Sequence, residues 1–82
     1  MKKKFAFILM GAHYTPEVHK AVFETESQLT YICTIKNFSE MEEKIKYLME
    51  EGVGAIELCG AFGKEKADEV VKMTGNKVSL TA

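Results

Sequence analysis

The stretch Val53-Gly-Ala-Ile-Glu-Leu-Cys-Gly-Ala-Phe-Gly63 decides the fold that we predict for this chain. Its apolar first half, 53–59, is typical of a β-strand buried in a parallel sheet. The glycines that follow are typical of a tight turn, and Lys64 to Thr74 then has the apolar spacing of a helix. A strand that runs through a glycine-rich turn into a helix start is also the arrangement in which α/β proteins build anion and cofactor sites.

Three further strands are expected. The apolar run 5–10 predicts a strand that is covered on both sides of a parallel sheet. The segments 29–35 and 78–82 alternate between a more apolar and a more polar face, which places them nearer the sheet edges. Helices are predicted between the strands, over about 16–23, 40–51 and 64–74.

The first of these helices has the weakest pattern. Thr15-Pro16-Glu17 looks like a helix start, with a hydroxyl cap, a proline at the first position and an acid in the first turn. An extended conformation over 21–25 is the alternative. Ser39-Glu-Met-Glu42 is a capping box that predicts the start of the second helix.

The alternation of strands and helices predicts one α/β domain over residues 1–82, with a four-stranded, mostly parallel sheet and right-handed crossovers. If the two most apolar strands are central, the spatial order is 2-1-3-4, which is a three-layer, flavodoxin-like arrangement. The first helix is too short to cover its side of the sheet alone. We therefore expect leftover apolar surface there and a homo-oligomer, a dimer in the first instance.

Composition and charge exclude several classes of protein. The net charge is −1 and no basic face accumulates, so a nucleic-acid partner is not expected. No run approaches the ~20 apolar residues that a membrane span needs, so no membrane partner is expected either. Cys33 and Cys59 have neither metal-ligand nor redox-pair spacing, which predicts reduced thiols, no metal site and a cytoplasmic location. No phosphate-loop or dinucleotide motif is complete, and the cofactor stays unknown.

A small-ligand site is expected where the carboxyl ends of the first and third predicted strands meet, because the strand order reverses there. A ligand with anionic character suits the helix start behind the turn. The residues predicted to line this site are Gly11, Ala12, His13, Glu57, Cys59, Gly60, Ala61, Phe62 and Gly63.

Three of these residues are candidates for catalysis, although the sequence leaves open whether there is any. Glu57 is a carboxylate in an apolar strand, so it serves either a site or interface, or a structural ion pair. Cys59 is either a nucleophile with a lowered pKa near a helix start or a small buried residue. His13 follows a strand end, where either an acid–base role or an ordinary loop position is possible. A non-catalytic interaction protein that works as a homo-oligomer is the alternative function.

The run Ala55-Ile-Glu-Leu-Cys-Gly-Ala-Phe-Gly63, with Gly11-Ala12, Pro16 and His19 upstream, resembles a family of small prokaryotic proteins, domain of unknown function 6506. The resemblance extends over most of the chain, and the Glu-Leu-Cys-Gly-x-Phe-Gly segment is its most specific part. It implies a compact α/β protein. It implies no activity, so no catalytic residue follows from it.

Overall fold

The computed structural model describes residues 2–81, which form five strands and two α-helices. The ends of the predicted domain, residues 1 and 82, lie outside the described part. The strands are β1 (Lys3–Met10), β2 (Ala21–Glu24), β3 (Gln28–Ile35), β4 (Ala55–Leu58) and β5 (Ser79–Thr81). The helices are α1 (Met41–Glu50), which follows a short 3-10 turn (Phe38–Glu40), and α2 (Gly63–Met73).

The strands form one mixed sheet in the order β2-β3-β1-β4-β5. β1 pairs in parallel with β3 and β4, β4 pairs in parallel with β5, and β2 pairs antiparallel with β3. The predicted count of four strands, and with it the predicted order, was wrong because β2 adds a fifth strand at one edge. The four strands that were expected nevertheless keep their relative positions, with β1 and β4 in the interior of the sheet.

The predicted helix over 16–23 was wrong, and the extended alternative for 21–25 describes the chain better. The cap signals produce a single turn, in which the amides of Val18 and His19 donate to the carbonyl of Thr15 at 2.9 and 2.8 Å. The chain then extends into β2, because one helical turn cannot offset the cost of nucleation and the β-prone residues 21–23 pair with β3 instead.

The start of α1 uses a different cap from the one predicted. Asn37 Oδ1 accepts from the amide of Ser39 at 3.0 Å, and Glu40 Oε1 accepts from the amide of Lys36 at 2.6 Å. The two bonds resemble a capping box, but the donors are the amides of the second residue of the turn and of the residue before the cap. This cap begins two residues before the capping box predicted at 39–42, and a 3-10 turn separates it from α1.

Both helices pack on the same face of the sheet. The side chains of Ala6, Ile8, Tyr31, Cys33 and Ile56 point to this face and are buried. The helices supply the other half of the core, through the buried residues Met41, Ile45, Leu48, Ala67 and Val70. The predicted three-layer, flavodoxin-like arrangement is therefore not what forms. The domain has two layers, a helix layer and a sheet.

The opposite face of the sheet carries no helix in residues 2–81, and we call it the helix-free face. Strand pairing places Phe5, Phe7, Leu9, Ile32 and Ala55 on it, all of them half-buried. The loop between β1 and β2 crosses one end of this face, where the Thr34 hydroxyl donates to the carbonyl of His19 at 2.7 Å. The leftover apolar surface expected from the sequence is thus present.

Two adjacent valines on α2 test this packing. Val70 is fully buried against the sheet, whereas Val71 is half-buried. We expect Val70→Ala to lower the free energy of unfolding by about 2–3 kcal/mol, because it removes buried methyl groups and leaves a cavity. Val71→Ala should cost less than about 1 kcal/mol in the same urea titration. Equal losses for the two variants would contradict the orientation of α2.

Candidate functional site

The carboxyl ends of β1 and β4 lie side by side, as the sequence predicted. The amide of Cys59 donates to the carbonyl of Ile8 at 3.2 Å, and the amide of Met10 donates to Cys59 Sγ at 3.4 Å. The first bond extends the backbone pairing of β1 and β4 by one residue, and the second links the thiol of Cys59 to the end of β1. They bring the loop that begins at Gly11 and the turn that begins at Cys59 to the same edge of the sheet.

The loop after β1 is compact around Gly11. The amide of Gly11 donates to the carbonyl of Ile35 at 3.0 Å, and its carbonyl accepts from the amide of Tyr14 at 3.1 Å. The ring of His13 lies on that of Tyr14, with 4.2 Å between centroids, and remains exposed. A Cβ at Gly11 would lie 2.6 Å from His13 Cε1, so a larger residue there would require the exposed imidazole to move. Ala12 is exposed beside it.

The turn after β4 leads directly into α2. The amide of Phe62 donates to the carbonyl of Cys59 at 3.2 Å, and Gly60 and Ala61 are exposed between them. Gly63 has a φ of 70°, a left-handed conformation that favours glycine. Phe62 is only 3 % exposed and packs edge-on against Phe38, so its ring fills the core.

No hydrogen bond joins the predicted acid, thiol and imidazole to one another in residues 2–81. Glu57 lies on the helix-free face, paired across the strands with Phe7 on one side and Thr81 on the other. No hydrogen bond or ion pair in residues 2–81 joins it to His13 or Cys59. Neither of the two ion pairs in that range, Lys2–Glu24 and Lys64–Asp68, involves Glu57. The structural ion pair considered for this carboxylate is thus not seen there.

A shallow groove of about 460 Å³ runs beside the turn between β4, α2 and β5. The part of the groove beside the turn is lined by Cys59, Gly60 and Gly63. The side formed by α2 is lined by Lys64 and Asp68. These two charged side chains form an exposed ion pair at 3.4 Å. Lys64 and the amides of the first helical turn are the groups of this edge that attract an anion.

A second groove, of about 420 Å³, lies between the β2–β3 hairpin and α1. This groove was not predicted from the sequence, since residues 16–23 were expected to be helical and 29–35 to lie near an edge. The signal was the alternation of Tyr31 and Cys33 on the more apolar face of β3. Both side chains line the groove, with Lys20, Lys44 and Tyr47 around them.

Burial changes the acid–base properties of this second groove. Burial raises the pKa of Tyr31 to about 12, and the hydrogen bond that its hydroxyl donates to Glu51 Oε1, at 3.0 Å, adds to the effect. Burial also raises the pKa of the Cys33 thiol, and the nearby ammonium groups of Lys44 and Lys20 offset part of that rise. Cys33 is therefore held as a neutral thiol, which is a weak nucleophile.

Residues 2–81 contain no metal-binding cluster, no disulfide and no membrane-spanning helix. No group of three or more His, Cys, Asp or Glu side chains in this range is arranged to hold a metal ion. Both cysteines are free thiols. No helix in the described part of the chain is long and apolar enough to cross a bilayer.

Comparison with known proteins identifies one family. The model of the family described as "Family of unknown function (DUF6506)" matches residues 3–82, which is nearly the whole chain. No curated protein matches the sequence, and no solved structure matches it. The family resemblance expected from the sequence is confirmed.

The burial of Tyr31, together with its hydrogen bond to Glu51, predicts a pH dependence of stability. The folded-state pKa of Tyr31, about 12, lies above its ordinary value of 10.0. The stabilisation by the protonated Tyr31 hydroxyl is therefore complete at a pH below its ordinary pKa. This stabilisation is lost as the pH rises through the folded-state pKa. In urea titrations between pH 9 and about pH 12, Tyr31→Phe should lose less stability with rising pH than the unmodified protein. Tyr14→Phe is the control and should follow the unmodified protein.

Proposed function

The chain belongs to the family of unknown function DUF6506, and we propose that it is a non-catalytic interaction protein that works as a homo-oligomer through the helix-free face. The observation that supports the proposal is the apolar character of this face. Phe5 and Phe7 lie on it with their rings in an edge-to-face contact at 4.9 Å, and Leu9 and Ile32 lie beside them. Contiguous apolar surface of this kind marks an interaction site in soluble domains.

The size of the face suits a second copy of the chain. The molecule measures 33 × 29 × 20 Å, and its thin dimension accommodates two layers about 10 Å apart. The broad side, which carries the sheet, therefore has room for the ~800 Å² that each partner contributes to a standard interface. A chain of 82 residues also has a thin core, so burial of a further apolar face adds useful stability.

Glu57 restricts how two copies can pack. A carboxylate buried without a partner in an apolar interface is costly, so it needs a cation from the second copy or a position at the rim. Lys3 lies on the same face, four residues before Phe7 on β1. A twofold axis that crosses the strands at the level of Phe5 brings Lys3 of one copy to the level of Glu57 in the other, one strand away and within reach of a lysine side chain. This register satisfies both charges.

Ala55 tests the interface because it pairs with Phe5, at the level of that axis. We expect Ala55→Arg to change the mass measured by light scattering at about 10 μM from that of a dimer to the 9.2 kDa of a single chain. The reason is that the new guanidinium would be desolvated without a partner. The variant should remain folded, because the arginine can extend into solvent in the monomer.

Ala61→Arg is the matched control, since it introduces the same side chain at an exposed position in the turn after β4. It should keep the mass of the unmodified protein. A single-chain mass for the unmodified protein, or an unchanged mass for a folded Ala55→Arg variant, would contradict the proposed interface.

A second candidate function is the binding of a small anion at the edge where β1 and β4 end. Its support is the groove beside Gly60 and Gly63, in which Lys64 and the start of α2 face a common space. The notable difference from the sequence-based hypothesis is that Glu57 lies on the helix-free face, so it is not part of this candidate site.

The anion site predicts a difference between two lysines on α2. Inorganic phosphate, nucleotides, sugar phosphates and carboxylic acids are the probes. A compound that binds, at a concentration a hundredfold above its dissociation constant, should stabilise the folded state by about 2.7 kcal/mol. A thermal-shift assay measures this stabilisation. Lys64→Ala should abolish most of that shift, whereas Lys72→Ala, in the last turn of α2, should retain it. Equal shifts in both variants, or no hit, would remove this candidate.

A further inference from the structure

The outer edge of β2 is an unusual feature of the described sheet. β2 is the outermost strand, and all four of its residues are exposed. Val22 is 56 % exposed on the helix side and Phe23 is 57 % exposed on the helix-free face. An exposed edge with apolar side chains on both faces is a template for pairing with another strand, and natural proteins usually protect such edges.

The hydrogen bonds of the hairpin show which backbone groups of β2 point away from the sheet. The amide of Thr25 donates to the carbonyl of Gln28 at 2.8 Å, so the backbone groups of Thr25 point towards β3. Backbone direction alternates along an antiparallel strand. Those of Phe23 and Ala21 therefore also point towards β3. The amide and carbonyl of Val22, and those of Glu24, point outwards.

We propose that a second copy of the chain pairs antiparallel with this edge, with Val22 opposite Val22 of the second copy. The segment Lys20-Ala21-Val22-Phe23-Glu24 is self-complementary about its central residue. In this register each lysine lies opposite a glutamate, and each small alanine lies opposite a phenylalanine. Opposite charges and well-fitting apolar pairs directly across two strands are favourable.

The backbone accommodates the same register. The outward amide and carbonyl of Val22 meet those of its symmetry mate, which gives two hydrogen bonds on the twofold axis. The outward amide of Glu24 meets the carbonyl of Lys20, which gives two more by symmetry. The amide of Lys20 does not contribute, because it already donates to the carbonyl of Val18 at 3.1 Å.

Charge decides between this register and its neighbour. A shift of the axis to Phe23 also satisfies the backbone pattern, but it places each Val22 opposite a glutamate. Lys2 already forms an ion pair with Glu24 within one copy. The carboxylate can accept from both lysines, since its two oxygens together offer about four acceptor positions. The register centred on Val22 thus leaves no charge opposite an apolar side chain.

The pairing joins two sheets into one of ten strands, with the helices of both copies on the same side. Five residues from each copy form a small contact, which belongs to the weak, transient class of interfaces. The edge contact includes neither Ala55 nor Ala61, the two positions substituted to test the helix-free face. It therefore does not depend on the interface proposed above, and it should appear only at high protein concentration.

Amide hydrogen exchange in the Ala55→Arg variant tests this edge pairing by itself. At about 1 mM, a concentration that populates weak complexes, we expect slow exchange at Val22 and Glu24, and fast exchange of both amides on dilution. The amides of Ala21 and Phe23 are the internal controls, since they bond to β3 and should stay protected at both concentrations. Fast exchange at Val22 at the high concentration would overturn the proposal.

Charge reversal gives a second test that does not depend on the fold of a single variant. Lys20→Glu alone and Glu24→Lys alone each place like charges opposite each other twice, so self-association in the Ala55→Arg background should weaken about tenfold. A mixture of the two variants restores opposite charges at both positions and should recover the protection of Val22. A mixture that stays as weak as its components would overturn the register.

If the chain associates through the β2 edge but not through the helix-free face, the unmodified protein is a single chain at about 10 μM. Its Val22 amide is then protected from exchange only at high concentration. The reverse pattern is a stable dimer whose Val22 amide always exchanges fast. These outcomes separate the two interfaces, because each one changes a different measurement.

Discussion

The parallel pairing of β1 with both β3 and β4 is the constraint on which the rest of the structure depends. The connection from β3 to β4 passes over β1, and the connection from β4 to β5 runs in the same direction across the sheet. Parallel crossovers are right-handed, so two successive crossovers in one direction place their helices on one face. Both α1 and α2 therefore lie on the same side, and the whole buried core forms between them and the sheet.

The connection from β1 to β3 runs in the opposite direction, and its helix would have covered the other face. That helix does not form. The segment after Pro16 makes one turn and then becomes the edge strand β2, whose hairpin is held by hydrogen bonds around Thr25. The consequence is a two-layer domain with an apolar sheet face and an apolar edge, which are the two surfaces proposed here to meet other copies of the chain.

The candidate sites show why strand neighbours are easier to predict than side-chain neighbours. The sequence correctly placed Gly11 and Cys59 at one edge, since parallel strands that are adjacent end together. It also grouped Glu57 with them, but alternation along β4 directs that carboxylate to the helix-free face. The groove around Cys33 was missed because it depends on the β2 hairpin, which a helical prediction for 16–23 removes.

The sequence by itself determined the α/β class, the four parallel strands and the two helices after residue 38, because hydrophobic periodicity and glycine or cap signals are local properties. The family followed from the resemblance of the 55–63 motif. Only the tertiary structure decided the state of residues 16–24, the number of layers and the exposure of Phe23. A short segment with both a helix start and β-prone residues has no strong local preference, so the free edge of β3 decided its conformation by offering backbone hydrogen bonds.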